Sequence, residues 1–288
     1  MAEGRVDQGQ AEASIPMRRV GPVCIRGPVL EDDVHVPLAT YETPLWRSVE
    51  RGARVTARAG GIQVVVASQG MTRSVILQAA DAAAAAEHAA ALDQRREDLA
   101  AAVAQTSAYA RLTGLHHRLA ANLIYLRFHV DTADAAGHNM ATLAAEAALD
   151  WILQQYPELT YVSLSGNYCT DKKVSAVNAI LGRGRQVTAE ARLPADLCRR
   201  YLKTTPADLH ALNIKKNLLG SILAGSLASA NAHFANMLLA FYLATGQDAA
   251  NLVEGSQGTV YTEADDDSLY FACTLPNVIV GTVGNGKE

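Results

Sequence analysis

The chain has 288 residues, with 25 Lys and Arg residues against 29 Asp and Glu residues, which gives a formal net charge of −4. Hydrophobic residues make up 49% of the chain and charged residues 19%, so wholesale disorder is excluded and one large or two ordinary domains are expected. The mildly acidic balance argues against a general nucleic-acid-binding protein, because phosphate contacts require a basic surface.

The cysteines and the apolar segments indicate where the chain resides. The four cysteines are isolated and form no CxxC pair, which favours a reducing, cytoplasmic location. Residues 1–18 are polar and without a signal-peptide core, and we expect a disordered tail there. Residues 217–247 contain no Asp, Glu, Lys or Arg, but their Ser, Asn and Gly residues favour a buried helix pair over a membrane span.

The predicted elements alternate in type along the chain. Loops and short strands are expected over 21–42, and β-branched runs predict strands at 62–67 and 74–78. Composition and periodicity then predict a helix at 79–105, a helix at 107–121, a strand at 122–130, a helix at 137–156 and a strand at 159–164. The remaining predicted elements are a short helix after Lys172, a strand at 186–193, helices over 194–247, and strands near 259–263 and 269–273.

The segment 75–164 therefore forms a β-α-α-β-α-β pattern whose flanks differ in character. We expect an α+β fold in which this small α+β unit, of ferredoxin-like type, is inserted into a larger, mainly helical mixed domain. The expected boundaries are a tail at 1–18, the first part of the large domain at 19–74, the small domain at 75–164 and the second part of the large domain at 165–288.

Common signature motifs are absent, and dense polar clusters are the candidates for chemistry. The chain has no GxGxxG opening a helix, no GxxxxGK[ST], no HExxH and no GxSxG. The cluster SGNYCTDKK at 165–173 follows a predicted strand, a place where ligands often bind. Its adjacent lysines can hold a carboxylate and place a cation near a carbonyl oxygen; a solvated turn is the alternative.

Three further clusters each have a functional and a plain structural interpretation. Asn and His residues at 231–236, on an apolar helix, must find partners or face a cavity, and Asp248 by itself is typical of a cap. Glu42 lies in an apolar, turn-rich segment and is either a partly buried acid with a raised pKa or an exposed carboxylate. The turn at 134–139 either presents backbone N–H groups to a phosphate or is only capped by Asp134.

Taken in chain order, these clusters resemble the 3-hydroxy-3-methylglutaryl-CoA (HMG-CoA) reductase family. The matching blocks are ATYE (39–42), MTR (71–73), DAAGHN (134–139), SGNYCTDKK (165–173), NIKKN (213–217), NAHFAN (231–236), GQD (246–248) and GTVGNG (281–286). The resemblance runs from about residue 21 to the C-terminus, and SGNYCTDKK and GQDAAN are its most specific motifs. It implies a cytoplasmic oxidoreductase that reduces HMG-CoA to mevalonate and CoA with two NAD(P)H, for isoprenoid synthesis.

The resemblance also implies a role for individual residues. Lys172 would stabilise negative charge on the substrate oxygen, Glu42 would supply a proton, and Asp248 would link them in one hydrogen-bonded network. The matching substrate-binding residues are Arg73, Ser165, Asp171, Lys173, Lys216 and Asn236. The matching cofactor-binding residues are Ser107, Asp134, Gly137, His138, Asn139, Val283 and Gly284.

The family uses no metal and works as a homodimer or higher homo-oligomer with sites at subunit interfaces. The chain ends at Glu288, short of the family's C-terminal catalytic histidine, so the alternative is an impaired homologue that binds CoA esters or reduces only mevaldehyde. Ala108 stands where NADPH-using members often have Arg, and His138 stands where Met or Ala is usual. We therefore expect NADPH with NADH still open, and Arg111 as one cation available to a phosphate.

Overall fold

The computed structural model describes residues 13–283, in which nine strands form two joined sheets. The strands are β1 (Met17–Arg26), β2 (Asp32–Ala39), β3 (Ile62–Gln78), β4 (Arg111–Ala120), β5 (Leu123–Asp131), β6 (Thr160–Ser163), β7 (Gly184–Pro194), β8 (Thr259–Ala264) and β9 (Ser268–Val278). The helices are α1 (Pro44–Arg58), α2 (Ala82–Gln94), α3 (Arg96–Ala104), α4 (His138–Gln155), α5 (Ala176–Leu181), α6 (Ala195–Leu197), α7 (Pro206–Leu212), α8 (Gly220–Leu223), α9 (Phe234–Thr245) and α10 (Leu252–Gly255).

Strand β3 belongs to both sheets. Its first half pairs with β7 over residues 63–70, and its second half pairs with β5 over residues 71–78. The sequence predicted two separate strands here, but the chain continues in extended form through Gly70. Gly184 lies opposite Gly70 with φ +80, and a Cβ there would lie 2.5 Å from the carbonyl oxygen of Val278. The two sheets are therefore joined through one continuous 17-residue strand.

The smaller sheet has the strand order β6-β3-β5-β4, and every pair is antiparallel. Its inner face is covered by the alanine-rich helices α2, α3 and α4, whose small side chains allow close approach to the sheet. Residues that alternate along β3 and β5 face these helices, as expected for an antiparallel sheet with one buried face. The fully buried ones include Val75, Leu77, Ile124, Leu126 and Phe128.

The helix predicted at 107–121 is wrong, because residues 111–120 form strand β4. This strand pairs with β5 along its whole length, and Gly114 marks a bulge in the pairing, next to His129. A glycine in the segment disfavours a helix, and a full edge of hydrogen bonds to β5 outweighs the helix propensity of the Leu, Arg and Ala residues around it.

The larger sheet has the order β2-β1-β3-β7-β9-β8 and contains one short parallel contact between β1 and β3. Helices α1 and α9 pack on its β1–β2 end, where Trp46 donates a 2.9 Å hydrogen bond to the carbonyl oxygen of Leu38. This half of the molecule contains more strand than the mainly helical domain expected from the sequence, because β1 and β2 form a long hairpin where only short strands were predicted.

The charge-free segment 217–247 folds as two helical pieces. The first is the end of a π-helical stretch, Asn213–Leu219, which continues into α8, and the second is α9. A loop over residues 224–233 separates them. None of the helices within residues 13–283 has the length and hydropathy needed to cross a bilayer.

Candidate active site

The SGNYCTDKK loop at 165–173 has an unusual backbone that β3 holds in place. Asn167, Thr170 and Lys172 all adopt left-handed conformations, with φ of 58°, 53° and 55°. Non-glycine residues in this region carry a cost of about 1–3 kcal/mol each, so the surroundings must fix them. Ser74 does so from β3: its hydroxyl accepts a 2.9 Å hydrogen bond from the backbone of Cys169, and its carbonyl accepts one of 2.8 Å from Gly166.

Lys172 and Asp248 form the ion pair at the centre of the candidate site, with Nζ 2.8 Å from Oδ2. The hydrogen bond to Asp248 raises the pKa of Lys172, despite partial burial. Burial alone would raise the pKa of Asp248, but hydrogen bonds from Lys172 and from the backbone of Ala250 lower it. The side chains are 41% and 36% exposed, so the ammonium is both charged and accessible to a ligand.

A buried charged cluster lies behind this pair. Arg183, only 1% exposed, contacts Asp171 Oδ1 at 2.5 Å and Glu254 Oε1 at 3.3 Å, and donates a 2.7 Å hydrogen bond to the carbonyl oxygen of Thr72. Sequence reasoning missed both Arg183 and Glu254. Their signal in the sequence is weak, because a single Arg between glycines and a single Glu in an apolar segment are also typical of a protein surface.

Glu42 and Asn236 form a second, separate pair. The Asn236 amide donates a short hydrogen bond to Glu42 Oε2, and the Thr40 hydroxyl accepts one of 2.9 Å from the Glu42 backbone. Glu42 is exposed, so the partly buried acid considered from the sequence is not formed by this chain alone. Within residues 13–283 no hydrogen bond or ion pair joins Glu42 to Lys172.

Two predicted cofactor segments that are distant in sequence meet in space. The backbone of Thr282 donates to the carbonyl oxygen of Asp134 at 3.0 Å, and Ala136 donates to that of Val283 at 3.3 Å. Gly137, with φ 92°, is the N-cap of α4 in place of the cap by Asp134 that the sequence allowed, and a Cβ on it would lie 2.5 Å from the Thr132 hydroxyl.

A glutamine ties this turn to the GQD motif. Gln247 Nε2 donates to the carbonyl oxygen of Gly281 at 3.1 Å, and its Oε1 accepts from the Gly281 backbone at 3.0 Å. A Cβ on Gly281 would overlap the backbone of Ala136, so the two segments approach as closely as a glycine allows. A cavity of about 530 Å³ lies beside them, lined by Asp134, Arg185, Phe241, Thr245, Gln247, Val280, Gly281 and Thr282.

His138 connects the turn at 134–137 with the DKK motif. Its Nε2 lies 3.2 Å from the amide oxygen of Asn251 and 3.8 Å from Asp171 Oδ1. Burial lowers the pKa of this imidazole, and the charges of Arg183 and Lys172 lower it further, against the opposite effect of Asp171.

The remaining predicted residues lie at different places. Arg73 is half-buried on β3, with Nε lacking a hydrogen-bond partner, and Lys173 donates to the carbonyl oxygen of Asp171 at 3.1 Å. Ser165 is exposed at the start of the 165–173 loop, and Asn139 is exposed in the first turn of α4. Ser107 and Lys216 have no described contact with the Lys172 cluster. Gly284 lies outside residues 13–283.

A basic stripe on α1 is a feature that sequence reasoning missed. Four exposed arginines follow one another at helical spacing, which puts them on one side of the helix: Arg47, Arg51, Arg54 and Arg58. The helix begins just after Glu42 and borders a cavity of about 510 Å³ that is lined by Glu42, Leu45, Val49, Met237 and Phe271 among others. The spacing of the arginines was visible in the sequence and would have revealed the stripe.

The fold and site together define a mixed α+β protein with a lysine–carboxylate centre beside a glycine-lined turn. A profile of the family described as hydroxymethylglutaryl-coenzyme A reductase matches residues 5–288. The chain therefore belongs to the HMG-CoA reductase family, a family of oxidoreductases, as its motifs indicated.

Individual relatives support this assignment. The 3-hydroxy-3-methylglutaryl-coenzyme A reductase of Halobacterium salinarum is 42% identical over 285 residues, which cover 99% of this chain and 70% of that protein. That of Aeropyrum pernix is 42% identical over 275 residues, covering 95% and 65%. The chain thus spans about two thirds of the length of these relatives.

Solved structures show that the fold is shared. A 3-hydroxy-3-methylglutaryl-coenzyme A reductase of Streptococcus pneumoniae aligns with a TM-score of 0.73 at 20% identity, covering 97% of this chain and 75% of that one. A class II enzyme of the same species, bound to NADPH in open conformations, aligns with a TM-score of 0.70. The α+β class with a mixed sheet is confirmed.

The lowered pKa of the half-buried imidazole of His138 predicts a pH-dependent stability. Because its pKa is lowered in the folded chain, the unfolded chain binds a proton first as the pH falls below about 6.5. We therefore expect the free energy of unfolding to decrease from pH 7 to pH 5 more steeply in the native chain than in a His138→Met variant. Urea unfolding at each pH measures the slopes. His35→Gln, at an exposed position, is the control that retains the steep slope, and equal slopes with and without His138 would contradict the prediction.

Proposed function

We propose that this chain reduces HMG-CoA to mevalonate and CoA with two equivalents of NADPH. The observation that carries the proposal is the charged, accessible Lys172–Asp248 pair, placed next to the joined segments at 134–137 and 281–283. Family membership supports the reaction, and the NADPH bound to the S. pneumoniae relative supports the cofactor. NADH would supply the same chemistry. The binding-only homologue considered from the sequence has no specific observation in its favour.

The residues around the 134–137 turn fit a dinucleotide. Gly137 and Gly281 leave a backbone cradle that a Cβ would fill, the N-terminus of the 18-residue helix α4 favours a phosphate, and a cavity of about 530 Å³ opens beside Asp134. When bound, the cofactor supplies hydride to the carbonyl carbon of the substrate. The unit at 75–164, whose strand order is ferredoxin-like, is on this proposal the cofactor-binding domain, inserted between large-domain parts at 19–74 and 165–288.

Lys172 then acts at the substrate oxygen. Each hydride addition leaves a negative charge on that oxygen, and an ammonium fixed by Asp248 stabilises it without having to reorganise. Glu42 donates the proton that the oxygen needs. The first addition gives a hemithioacetal, whose hydroxyl proton returns to Glu42 as the C–S bond breaks and CoA leaves as a thiolate that takes a proton from solvent. The second addition reduces the resulting aldehyde to the alcohol. On the same proposal, Arg73, Ser165 and Lys173 bind the substrate's terminal carboxylate.

The arginine stripe of α1 fits the other end of the substrate. HMG-CoA carries a diphosphate and a ribose 3′-phosphate, and guanidinium groups bind phosphates with paired hydrogen bonds. The cavity lies on the other side of the same helix, against Leu45, Val49 and Ala53, so the stripe itself is open to a ligand in solvent. The stripe begins one turn after Glu42, so a CoA ester bound along α1 would have its thioester at the candidate proton donor.

A second copy of the chain completes the site on this proposal. The pairs Glu42–Asn236 and Lys172–Asp248 are separate within one chain, although the reaction requires both at one substrate. Apolar side chains are exposed around α5 and α8, with Leu223 88% and Ile180 79% exposed, and a partner subunit would bury them.

The proposal places the protein in the cytoplasm. Its four cysteines are free thiols, which suits a reducing compartment.

Replacing Lys172 by Ala tests the proposed chemistry. We expect kcat for NADPH oxidation with HMG-CoA, and with mevaldehyde, to fall by at least about 10²-fold, because the oxygen loses the cation that Asp248 holds in place. Binding of NADPH, measured by quenching of protein fluorescence, should persist. Lys203→Asn is the matched control, since Lys203 is exposed and shares the left-handed backbone, with φ 60°. Full turnover by the Lys172→Ala variant would refute the proposed role.

Removing two arginines tests the proposed CoA site. In an Arg51→Ala/Arg54→Ala variant we expect KM for HMG-CoA to rise about tenfold, because two phosphate contacts are lost. The kinetics with mevaldehyde, which lacks CoA, should not change. Arg118→Ala, an exposed arginine on β4, should affect neither substrate. An equal loss with both substrates would show that the stripe does not bind CoA.

Mixing two inactive variants tests whether the site is shared. If Glu42 and Lys172 come from different copies, subunit exchange between Glu42→Gln and Lys172→Ala chains should restore up to about a quarter of native activity, since half of the random dimers carry one intact site of two. Activity that remains at zero after verified exchange would place both residues in one chain. Each variant exchanged with itself is the control.

A further inference from the structure

Glu254 is a buried carboxylate that contacts the backbone of the candidate catalytic lysine. It lies in α10 and is 0% exposed. Its Oε1 accepts a 3.0 Å hydrogen bond from the backbone N–H of Lys172 and lies 3.3 Å from Arg183 Nε. Within the described residues, Oε2 is buried without a partner. The carboxylate does not face the open side of the site, so it is not a proton donor to a substrate.

Burying the carboxylate of Glu254 lowers the stability of the fold, so its presence at this position needs an explanation. A carboxylate taken out of water is strongly unfavourable unless it is paired, and here a single guanidinium is shared between Glu254 and Asp171. Burial raises the pKa of Glu254 in spite of Arg183 and the Lys172 N–H group. An apolar side chain of similar size would fill the same space at lower cost, but it could not accept a hydrogen bond from Lys172.

The hydrogen bond acts on a backbone that does not adopt its conformation readily. Lys172 has φ 55°, and its peptide plane decides in which directions Asp171 and Lys172 project. With the N–H held by Glu254, the Asp171 carboxylate meets Arg183 and the Lys172 ammonium meets Asp248. A rotation of this plane would move the ammonium by several ångströms, because it lies at the end of a long side chain.

The segment 248–254 contacts both the side chain and the backbone of Lys172. Asp248 caps the 3-10 turn Ala249–Asn251 through a 3.0 Å hydrogen bond from Ala250, and this turn continues directly into α10 with Glu254. Asp248 therefore binds the side chain of Lys172 while Glu254 binds its backbone. The distance between the two carboxylates is set by helical geometry, so the direction of the ammonium follows from the segment itself.

We propose that Glu254 is a positioning residue that orients the Lys172 ammonium by holding its backbone in the left-handed conformation. The inference rests on the proposed function in one respect, because that proposal makes Lys172 the catalytic cation. A purely structural role for Glu254 would affect the stability of the fold but not the properties of Lys172, and this difference can be measured.

The experiment measures the pKa of Lys172 in the full chain without substrate or cofactor. Acylation of lysines by acetic anhydride, followed by mass spectrometry across a pH range, reports the unprotonated fraction of each amine. In Glu254→Ala the ammonium loses its fixed partner Asp248, so its raised pKa should fall, and a fall of about one unit increases reactivity about tenfold below the pKa. Lys203 in the same digest is the internal standard.

Two further variants separate the backbone contact from the charge. Glu254→Gln keeps an oxygen that accepts from Lys172 and should retain most of the native Lys172 reactivity. Glu254→Asp keeps the charge but withdraws the oxygen by one methylene, so it should behave like Glu254→Ala. If Glu254→Ala does not fold, comparing the reactivity of Lys172 in Glu254→Gln and in Glu254→Asp tests the same proposal.

Gln257→Ala is the matched control. Gln257 is as buried as Glu254, lies just after α10, and donates a 3.1 Å hydrogen bond to the carbonyl oxygen of Leu227 without contacting Lys172. Its loss should lower the unfolding temperature and leave the reactivity of Lys172 at the native value. The proposal would be overturned if the reactivity of Lys172 changed equally in Glu254→Ala and Gln257→Ala. It would also be overturned if a folded Glu254→Ala variant showed the native reactivity of Lys172.

Turnover supplies an independent readout. With mevaldehyde, Glu254→Ala should lower kcat while KM changes little, and Glu254→Gln should restore most of kcat; a rise in KM alone would contradict the proposal. If the native chain reduces neither substrate, the proposed function fails, but the acylation result still decides whether Glu254 orients Lys172.

Discussion

A buried guanidinium holds the candidate active site together. Arg183 joins three parts of the chain that are distant in sequence: β3 through Thr72, the DKK motif through Asp171, and α10 through Glu254. Because a charge in such a place must be fully paired, these three segments cannot move independently without exposing unpaired groups. The left-handed backbone of the DKK loop and the lysine that it carries therefore depend on one buried side chain.

The continuous strand β3 extends this constraint to the whole molecule. It contributes one half to each sheet, and it supplies the hydroxyl and carbonyl groups of Ser74 that fix the loop after β6. The turn at 134–137 follows β5, the direct neighbour of β3, while the segment at 281–283 follows β9 in the other sheet. The candidate site thus lies where the two sheets share a strand, so each sheet brings one of its components.

The sequence predicted much of this, although unevenly. Long periodic helices such as α4 and the β-branched strands were predicted close to where they lie, because their patterns are unambiguous. The sequence predicts a helix where strand β4 lies, since the residues of this segment have no strong alternation and only pairing with β5 decides their conformation. Among the site residues, motif similarity pointed to Lys172, Asp248 and His138, which the structure brings near one another. It did not point to Arg183 or Glu254, whose importance comes from burial.

What the sequence determined by itself is the family, the fold class and the chemical character of the candidate residues, because ordered motifs of rare composition identify these directly. Tertiary structure alone decided which of the residues meet. It placed Lys172 with Asp248 and Glu42 with Asn236, and it brought Val283 against the 134–136 turn. The physical reason is that pairing between distant strands and the burial of charge are properties of the packed chain. Local propensity has no information about a partner a hundred residues away, whereas a buried carboxylate such as Glu254 requires one.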